Sequence, residues 1–338
     1  MIDFFHGLID GKNLLPELKF IPSRVGISIL LRELATMGIM IDAARGLPII
    51  HCTFLGYDEQ SHRRGPSSKF AHWTLKGIDG CVKRIWRSAK RSACRNYEIW
   101  IYSDHGQEAT TSYEKHVGKK LDATIMEVLK AQIAGHDEML HTQSDTSQLD
   151  RANLLGGERL QRLLSHVKSW SPTNHIEITA KGPVGHLYLT ETLPRDTRLR
   201  VGRALAQDAG IPIVLMADDP QKAIAWTQEG QYTLPEEAEE LVAKEHPFLE
   251  ALGEDLVRLV HHQDAGTFVL CGWRPSSPLT FPIENGAHAG IGPEETHGFV
   301  IVPATFTLAD EKPYLRPLDL RNAILRFLGR KPTALDDI

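Results

Sequence analysis

The sequence predicts an α/β fold, a mostly parallel sheet with helices over both faces. Three observations carry that expectation. Helical stretches with one apolar face alternate with short apolar runs along most of the chain. One run, the IPIVLM of residues 211–216, is apolar throughout, as strands buried on both faces are. Two further runs, 47–55 and 97–102, end in loops that carry Asp and His, where an open α/β sheet presents groups to a ligand.

Taken in order, residues 22–45 place Val25, Ile29, Leu30, Leu34, Met37, Met40 and Ile41 at helical spacing, with Ser23 as cap and Gly46 as stop. The apolar run 47–55 has strand length and ends in Gly56-Tyr57-Asp58. If residues 59–61 make one helical turn, Asp58 and His62 face the same way and can grip one ion. Pro66-Ser67-Ser68 starts a helix to about Ser92, with Phe70, Trp73, Ile78, Val82, Ile85 and Trp86 on its apolar face. Its tail holds six basic residues between Lys83 and Arg95, readable as a solvated face or a phosphate-binding patch.

The strand 97–102 then hands Ser103-Asp104-His105-Gly106 to a loop. A helix is expected over 119–133, followed by a polar insertion near 136–171. That insertion has a Gly156-Gly157 break, a helix near 158–170 and three histidines without carboxylate partners, His136, His141 and His166. Strands at 176–179 and 186–190 flank a Gly182-Pro183 turn as a hairpin. A helix at 199–209, the strand 211–216, a capping-box helix from Thr233 to about Lys244 and a strand at 267–271 follow. Near the end, Gly286-Ala287-His288-Ala289-Gly290 presents one imidazole among small residues, which let backbone come close to a ligand. His297 is a rival, but it abuts the expected strand 299–302, and His288 is preferred.

With 338 residues, 42% hydrophobic and 24% charged, the composition is that of an ordinary globular chain. One large domain over 1–330 with a tail at 331–338 is expected, since no linker or repeat divides it. A net charge of −5 provides no global field to recruit nucleic acid or anionic membrane. Cys52, Cys81, Cys94 and Cys271 form no Cys-x-x-Cys pair and read as free thiols. The sequence shows no signal-peptide pattern and no apolar span of membrane length, so the expectation is a soluble chain whose location and oligomeric state stay open.

Asp58, His62, Asp104, His105 and His288 thus form a candidate metal-binding set. Carboxylate oxygens with neutral imidazoles suit zinc, manganese or iron. Five ligands are too many for one open tetrahedral ion and too few for two complete sites.

The order Asp-x-x-x-His-x-x-Gly (58–65), Ser-Asp-His-Gly (103–106) and a late His in a Gly-rich loop (His288) resembles the alkaline phosphatase superfamily. The nearest branch is the type I phosphodiesterase/nucleotide pyrophosphatase-like proteins. The resemblance runs with gaps from about 25 to 305, with Ala289 where that branch usually has Gly. It implies an alkaline phosphatase-like three-layer α/β/α domain and, in the complete domain, two divalent cations, zinc with manganese as the alternative, of which this chain could hold a single one. Asp58, His62 and His288 would hold one cation, and Asp104 and His105 would be two ligands of the other. The substrate implied is a small phosphorylated molecule, without nucleic-acid specificity.

The resemblance also implies an Asp after the first strand and a Thr or Ser nucleophile at a helix start, before the Asp-x-x-x-His loop. Asp3, Asp10 and Asp42 sit in the wrong contexts, as do Ser23, Ser28 and Thr36. The expectation is therefore an N-terminally truncated version of the domain with no catalytic nucleophile in this chain. Three readings follow: a metal-dependent phosphoesterase, a non-catalytic remnant that binds metal or a phosphorylated ligand, and a related chemistry on the same scaffold such as sulfate-ester hydrolysis or phosphoglycerate mutation. Within the third, sulfate-ester hydrolysis is disfavoured because no Cys-x-Pro-x-Arg motif is present. Arg63 and Arg64 could neutralise a phosphate or simply form a surface turn.

Overall fold

A computed structural model describes residues 26–133, 142–143, 176–242, 244–304, 306 and 314–332. The expected insertion helix near 158–170, the cap at Ser23 and most of the tail at 331–338 lie outside the described residues. The chain divides into two units, one running to Gly106 and resuming at His297, the other Gln107–Thr296.

In the first unit, a π-helical turn, Gly26–Leu31, runs into helix α1, Arg32–Arg45. Gly46 ends it in the left-handed region at φ 76°, as the stop signal predicts. Helix α2, Tyr57–Arg64, and helix α3, Lys69–Lys90, follow. The Ser68 hydroxyl caps α3 by accepting from the Ala71 amide at 3.2 Å. The stripe that α3 buries is Ala71, Thr74, Cys81 and Ala89, whereas Trp73 and Trp86 of the expected apolar face stand half exposed.

The strand expected at 47–55 does not form: those residues join no ladder among the described residues, and Leu47, Ile49 and Leu55 are exposed. The reason is that a strand needs a neighbour, and an apolar run specifies suitability for a sheet without supplying the partner. The run 97–102 shrinks similarly to β1, Ile101–Tyr102, which pairs antiparallel with Val300–Ile301.

The second unit holds the large core. Short strands β2 (Glu108–Ala109) and β3 (Thr111–Ser112) lead into helices α4 (Tyr113–Val117) and α5 (Leu121–Gln132). A seven-stranded sheet contains β4 (Thr142–Gln143), β5 (Ile176–Lys181), β6 (Val184–Leu189), β7 (Ile213–Ala217), β8 (Ala223–Trp226), β9 (Gln231–Leu234) and β10 (Phe268–Cys271). Their spatial order is β4-β5-β6-β10-β7-β8-β9. Helix α6, Arg195–Gln207, precedes β7, and α7, Leu249–Val260, precedes β10.

Alternation along the strands divides the core between the two sheet faces. Val214, Met216, Ile224, Trp226, Phe268 and Leu270 pack with α5 and α6, while Ile213, Leu215, Ala223, Val269 and Cys271 pack with α7. Helices on both faces are therefore as expected. The mostly parallel sheet is not: every junction is antiparallel except β4–β5. The physical reason lies in the connections. The β5–β6 hairpin turns at Gly182, φ 61°, and β7, β8 and β9 run as a meander through short loops, which antiparallel neighbours allow and parallel ones do not.

The expected helix from Thr233 is also corrected. Thr233 lies in β9, its amide donates to Glu237 Oε2 at 2.6 Å, and only a 3₁₀ turn, Ala238–Glu240, follows. Pairing of β9 with β8 claims the segment that the capping pattern would have started. Among the described residues no helix is long and apolar enough to cross a membrane.

Candidate metal centre

Helix α2 realises the Asp-x-x-x-His spacing. Asp58 and His62 stand one turn apart, with His62 Nε2 3.2 Å from Asp58 Oδ1. The His62 side chain is only 9% exposed and Asp58 42%, so the imidazole is built into the unit while the carboxylate reaches its surface. The inner face of α2 is fixed by Gln60, whose Nε2 donates to the fully buried Ser28 hydroxyl at 2.9 Å. Ser61 donates to the Tyr57 carbonyl at 2.8 Å. Arg63 and Arg64 end the helix, both partly buried.

The second loop of this unit begins just after β1. Ser103 ties it to the returning chain: its amide donates to the Phe299 carbonyl at 3.1 Å and its hydroxyl accepts from the Phe299 amide at 2.9 Å. Asp104 Oδ1 accepts from the His105 amide at 3.1 Å, and the Asp104 side chain is 73% exposed. His105 Nδ1 lies 2.8 Å from the Gly106 carbonyl. A carbonyl can only accept, so Nδ1 carries the proton, and Nε2, 3.6 Å from Asp104 Oδ2, is the nitrogen that would face a metal. Asp58 and His105 offer ligand atoms within 4.8 Å of each other, so the first unit brings together two of the three expected segments.

These residues fit a divalent cation. Zinc takes Asp oxygen and His nitrogen at about 2.0 Å, which puts neighbouring donors of a tetrahedral shell roughly 3.3 Å apart. The Asp58–His62 separation of 3.2 Å is that of a direct ion pair and is compatible with that edge.

His288 belongs to the second unit. Strand β11, Leu279–Thr280, runs parallel to β3, and β12, Gly286–Ala287, pairs antiparallel with β2. His288 comes directly after β12, half buried, and Ala289 follows at φ 84°. Helix α8, Pro293–Thr296, closes the segment. His297, the rival, is exposed at the boundary where the first unit resumes.

Sequence reasoning passed over two carboxylates here. Glu295 is 3% exposed; its Oε2 accepts from the Gly290 amide at 2.7 Å and its Oε1 from the Gly292 amide at 2.8 Å. Glu108, also buried, accepts from the Glu294 amide at 3.0 Å, and burial pushes its carboxyl above the usual range. The signal available was a Pro-Glu-Glu directly after a Gly-Ile-Gly, acids positioned to receive loop amides. His246, likewise buried, uses both ring nitrogens: Nε2 donates to the Ile291 carbonyl at 2.8 Å and Nδ1 accepts from the Phe248 amide at 3.2 Å.

Against known families, residues 44–246 match the model described as type I phosphodiesterase / nucleotide pyrophosphatase. That span covers more than half of the chain and includes Asp58, His62, Asp104 and His105, with His288 beyond it. No curated protein matches the chain.

Proposed function

The chain belongs to the type I phosphodiesterase / nucleotide pyrophosphatase family, and from that premise we propose that it hydrolyses phosphate esters with the help of divalent cations. Asp58, His62 and His288 share one cation, zinc or manganese, and Asp104 and His105 contribute to a second. Residues 1–330 act as one catalytic domain. The observation that carries the reading is the pairing of Asp58 with His62 at 3.2 Å, with His105 close to the same carboxylate. When bound, the cations supply Lewis acidity toward a phosphoryl oxygen and stabilise the attacking and leaving oxygens.

The chain's own groups set that chemistry up. Asp58 and Asp104 provide the negative charge that a cation site needs. The Gly106 carbonyl holds the His105 tautomer, and the buried setting of His62 fixes its ring. Arg63 and Arg64, at the end of α2, supply positive charge for a phosphate.

A second reading, binding without turnover, draws on the hydroxyls. Ser28, Thr36 and Ser61 are each fully buried: Ser28 Oγ accepts from Gln60 Nε2, and the Thr36 and Ser61 hydroxyls donate to the Arg32 and Tyr57 carbonyls. None of these three is presented for attack on phosphorus.

Elemental analysis of the intact chain together with hydrolysis of a chromogenic phosphodiester tests both readings. Bound zinc or manganese with turnover supports the hydrolase, bound metal without turnover supports the second reading, and absence of metal at saturating concentrations defeats both. Asp58→Asn and His288→Ala should lower metal occupancy about tenfold or more, and His297→Ala should not. Equal losses at His288 and His297 would reassign the late ligand.

A further inference from the structure

We infer that Glu295 is a positioning residue, which holds the loop 286–292 in the one conformation that offers His288 to a cation; this rests on the metal-dependent reading above. A buried carboxylate is costly unless its oxygens are satisfied. Glu295 spends both on loop amides either side of Ile291, those of Gly290 and Gly292, at 2.7 and 2.8 Å. Charge-assisted bonds of this kind are among the stronger ones a backbone can make.

The loop is built around that carboxylate. A Cβ on Gly290 would lie 2.6 Å from Glu295 Oε1 and 2.8 Å from Pro183 Cγ. A Cβ on Gly292 would lie 2.3 Å from Glu108 Oε1 and 2.6 Å from Trp273 Cδ1. Only glycine permits such approach at either position. Between His288 and Gly290, Ala289 is held at φ 84°, a conformation that an L-residue adopts only when its surroundings impose it.

A second carboxylate braces the first. Glu108, next to β12 through the β2 ladder, accepts from the amide of Glu294, and so fixes the start of the helical turn that carries Glu295. The chain from Glu108 to Glu295 to the Gly290 and Gly292 amides lies wholly within the second unit. It reaches the backbone on the C-terminal side of His288, while β12 fixes the N-terminal side. Both sides of the ligand are therefore pinned, which is what a preorganised metal ligand requires.

The test is the zinc affinity of the intact chain, measured by competition with a chromophoric chelator. It is paired with hydrogen exchange at the Gly290 and Gly292 amides and a thermal melt of the metal-free protein. Glu295→Gln replaces one acceptor with an NH₂ facing an amide. It should raise the zinc dissociation constant at least tenfold and speed exchange at one or both glycines, and excess zinc should restore occupancy. Glu294→Gln, an exposed neighbour on the same turn, should leave the affinity unchanged. Gly290→Ala, which keeps the carboxylate but crowds it, should reproduce the loss and so decides the matter if Glu295→Gln does not fold. Unaltered zinc affinity in either folded variant overturns the positioning role alone. Failure of the unaltered chain to take up zinc overturns the metal reading and this role with it.

Discussion

The two units solve the problem of stability with different materials. Among the described residues, the buried apolar side chains of the first unit are Ala43, Ala71, Cys81, Ala89 and Ala323, all small. Those of the second include Trp226, Tyr113, Phe268, Leu187, Leu205 and Met216, at most 1% exposed between one face of the sheet and the helices over it, with Leu215, Leu234 and Val269 packed on the other face. Exposure runs the other way. Leu30, Leu34, Met37, Ile41, Ile49, Trp73 and Trp86 stand about half exposed in the first unit, whereas Ile283 is the one large apolar side chain of the second that is exposed among the described residues. Burial contributes roughly 25 cal/mol per Å² of apolar surface, so the second unit carries most of the fold's hydrophobic stabilisation. The lesson is that setting an Asp beside a His does not need a large core beneath them. The i, i+4 spacing of α2, with Gln60 anchored on Ser28, aligns Asp58 and His62, whereas His288 sits on a loop held by buried acids.

The largest expected effect breaks this comparison most directly. Phe268→Ala, at a fully buried position on β10, should cost about 3–5 kcal/mol in urea denaturation. Met37→Ala, 51% exposed on α1, should stay within about 0.5 kcal/mol. A loss of 2 kcal/mol or more at Met37 would mean that the exposed face of α1 is covered in solution. Hydrogen exchange gives the same contrast without mutation. Amides of β6, β10 and β7 should exchange slowest, and those of residues 48–55, which make no backbone ladder, near the unprotected rate.

That contrast also explains which parts of the fold could be read in advance. Helix α2 was legible because i, i+4 spacing is a local property: once the turn forms, Asp58 and His62 must face alike. The hairpin at Gly182 was legible for the same reason, as were the stop at Gly46 and the helix start at Pro66-Ser67-Ser68. What failed was non-local. Residues 47–55 have the composition of a strand, but partner and register are supplied from elsewhere in the chain. Parallel or antiparallel pairing likewise depends on which strands become neighbours, and β10 inserts between β6 and β7, far from both in sequence. The α7 helix and the β8–β9 hairpin were missed outright. The amphipathic run at 249–260 that covers the sheet lies beyond the helix expected from Thr233 to about Lys244. The metal candidates were legible because Asp and His follow apolar runs in Gly-punctuated stretches of the sequence. Glu295 was not, because a buried carboxylate announces itself only through the amides it binds.

An intermediate effect separates the units by pH. Burial pushes His186 and His246 below the ordinary histidine range, despite the Ile291 carbonyl that favours protonated His246. A depressed folded-state value means that the unfolded chain binds more protons below about pH 6.5. The stabilisation is therefore present above that pH and is lost as pH falls through it. Both histidines lie in the second unit, so its melting temperature should drop between pH 7.5 and 5.5. Protonated His246 would no longer accept from the Phe248 amide. His246→Gln should flatten the pH dependence; an unchanged slope would assign it to other groups.

The smallest effect concerns the loop itself. Ala289 occupies the left-handed region, which costs an L-residue about 1–2 kcal/mol. Glycine removes that strain but gives back about 0.4–1 kcal/mol through the greater freedom of the unfolded chain. Ala289→Gly should therefore raise stability by between about 0 and 1.6 kcal/mol, a gain of at most a few °C in melting temperature. Its value lies in the double variant. If Glu295 imposes the strain, relaxing the loop with Glu295→Gln should abolish the gain from Ala289→Gly. The two changes would then be non-additive by about the size of that gain. Additive effects would mean that the conformation of Ala289 is set by the β12–β2 ladder on the other side of His288, and that the carboxylate merely follows it.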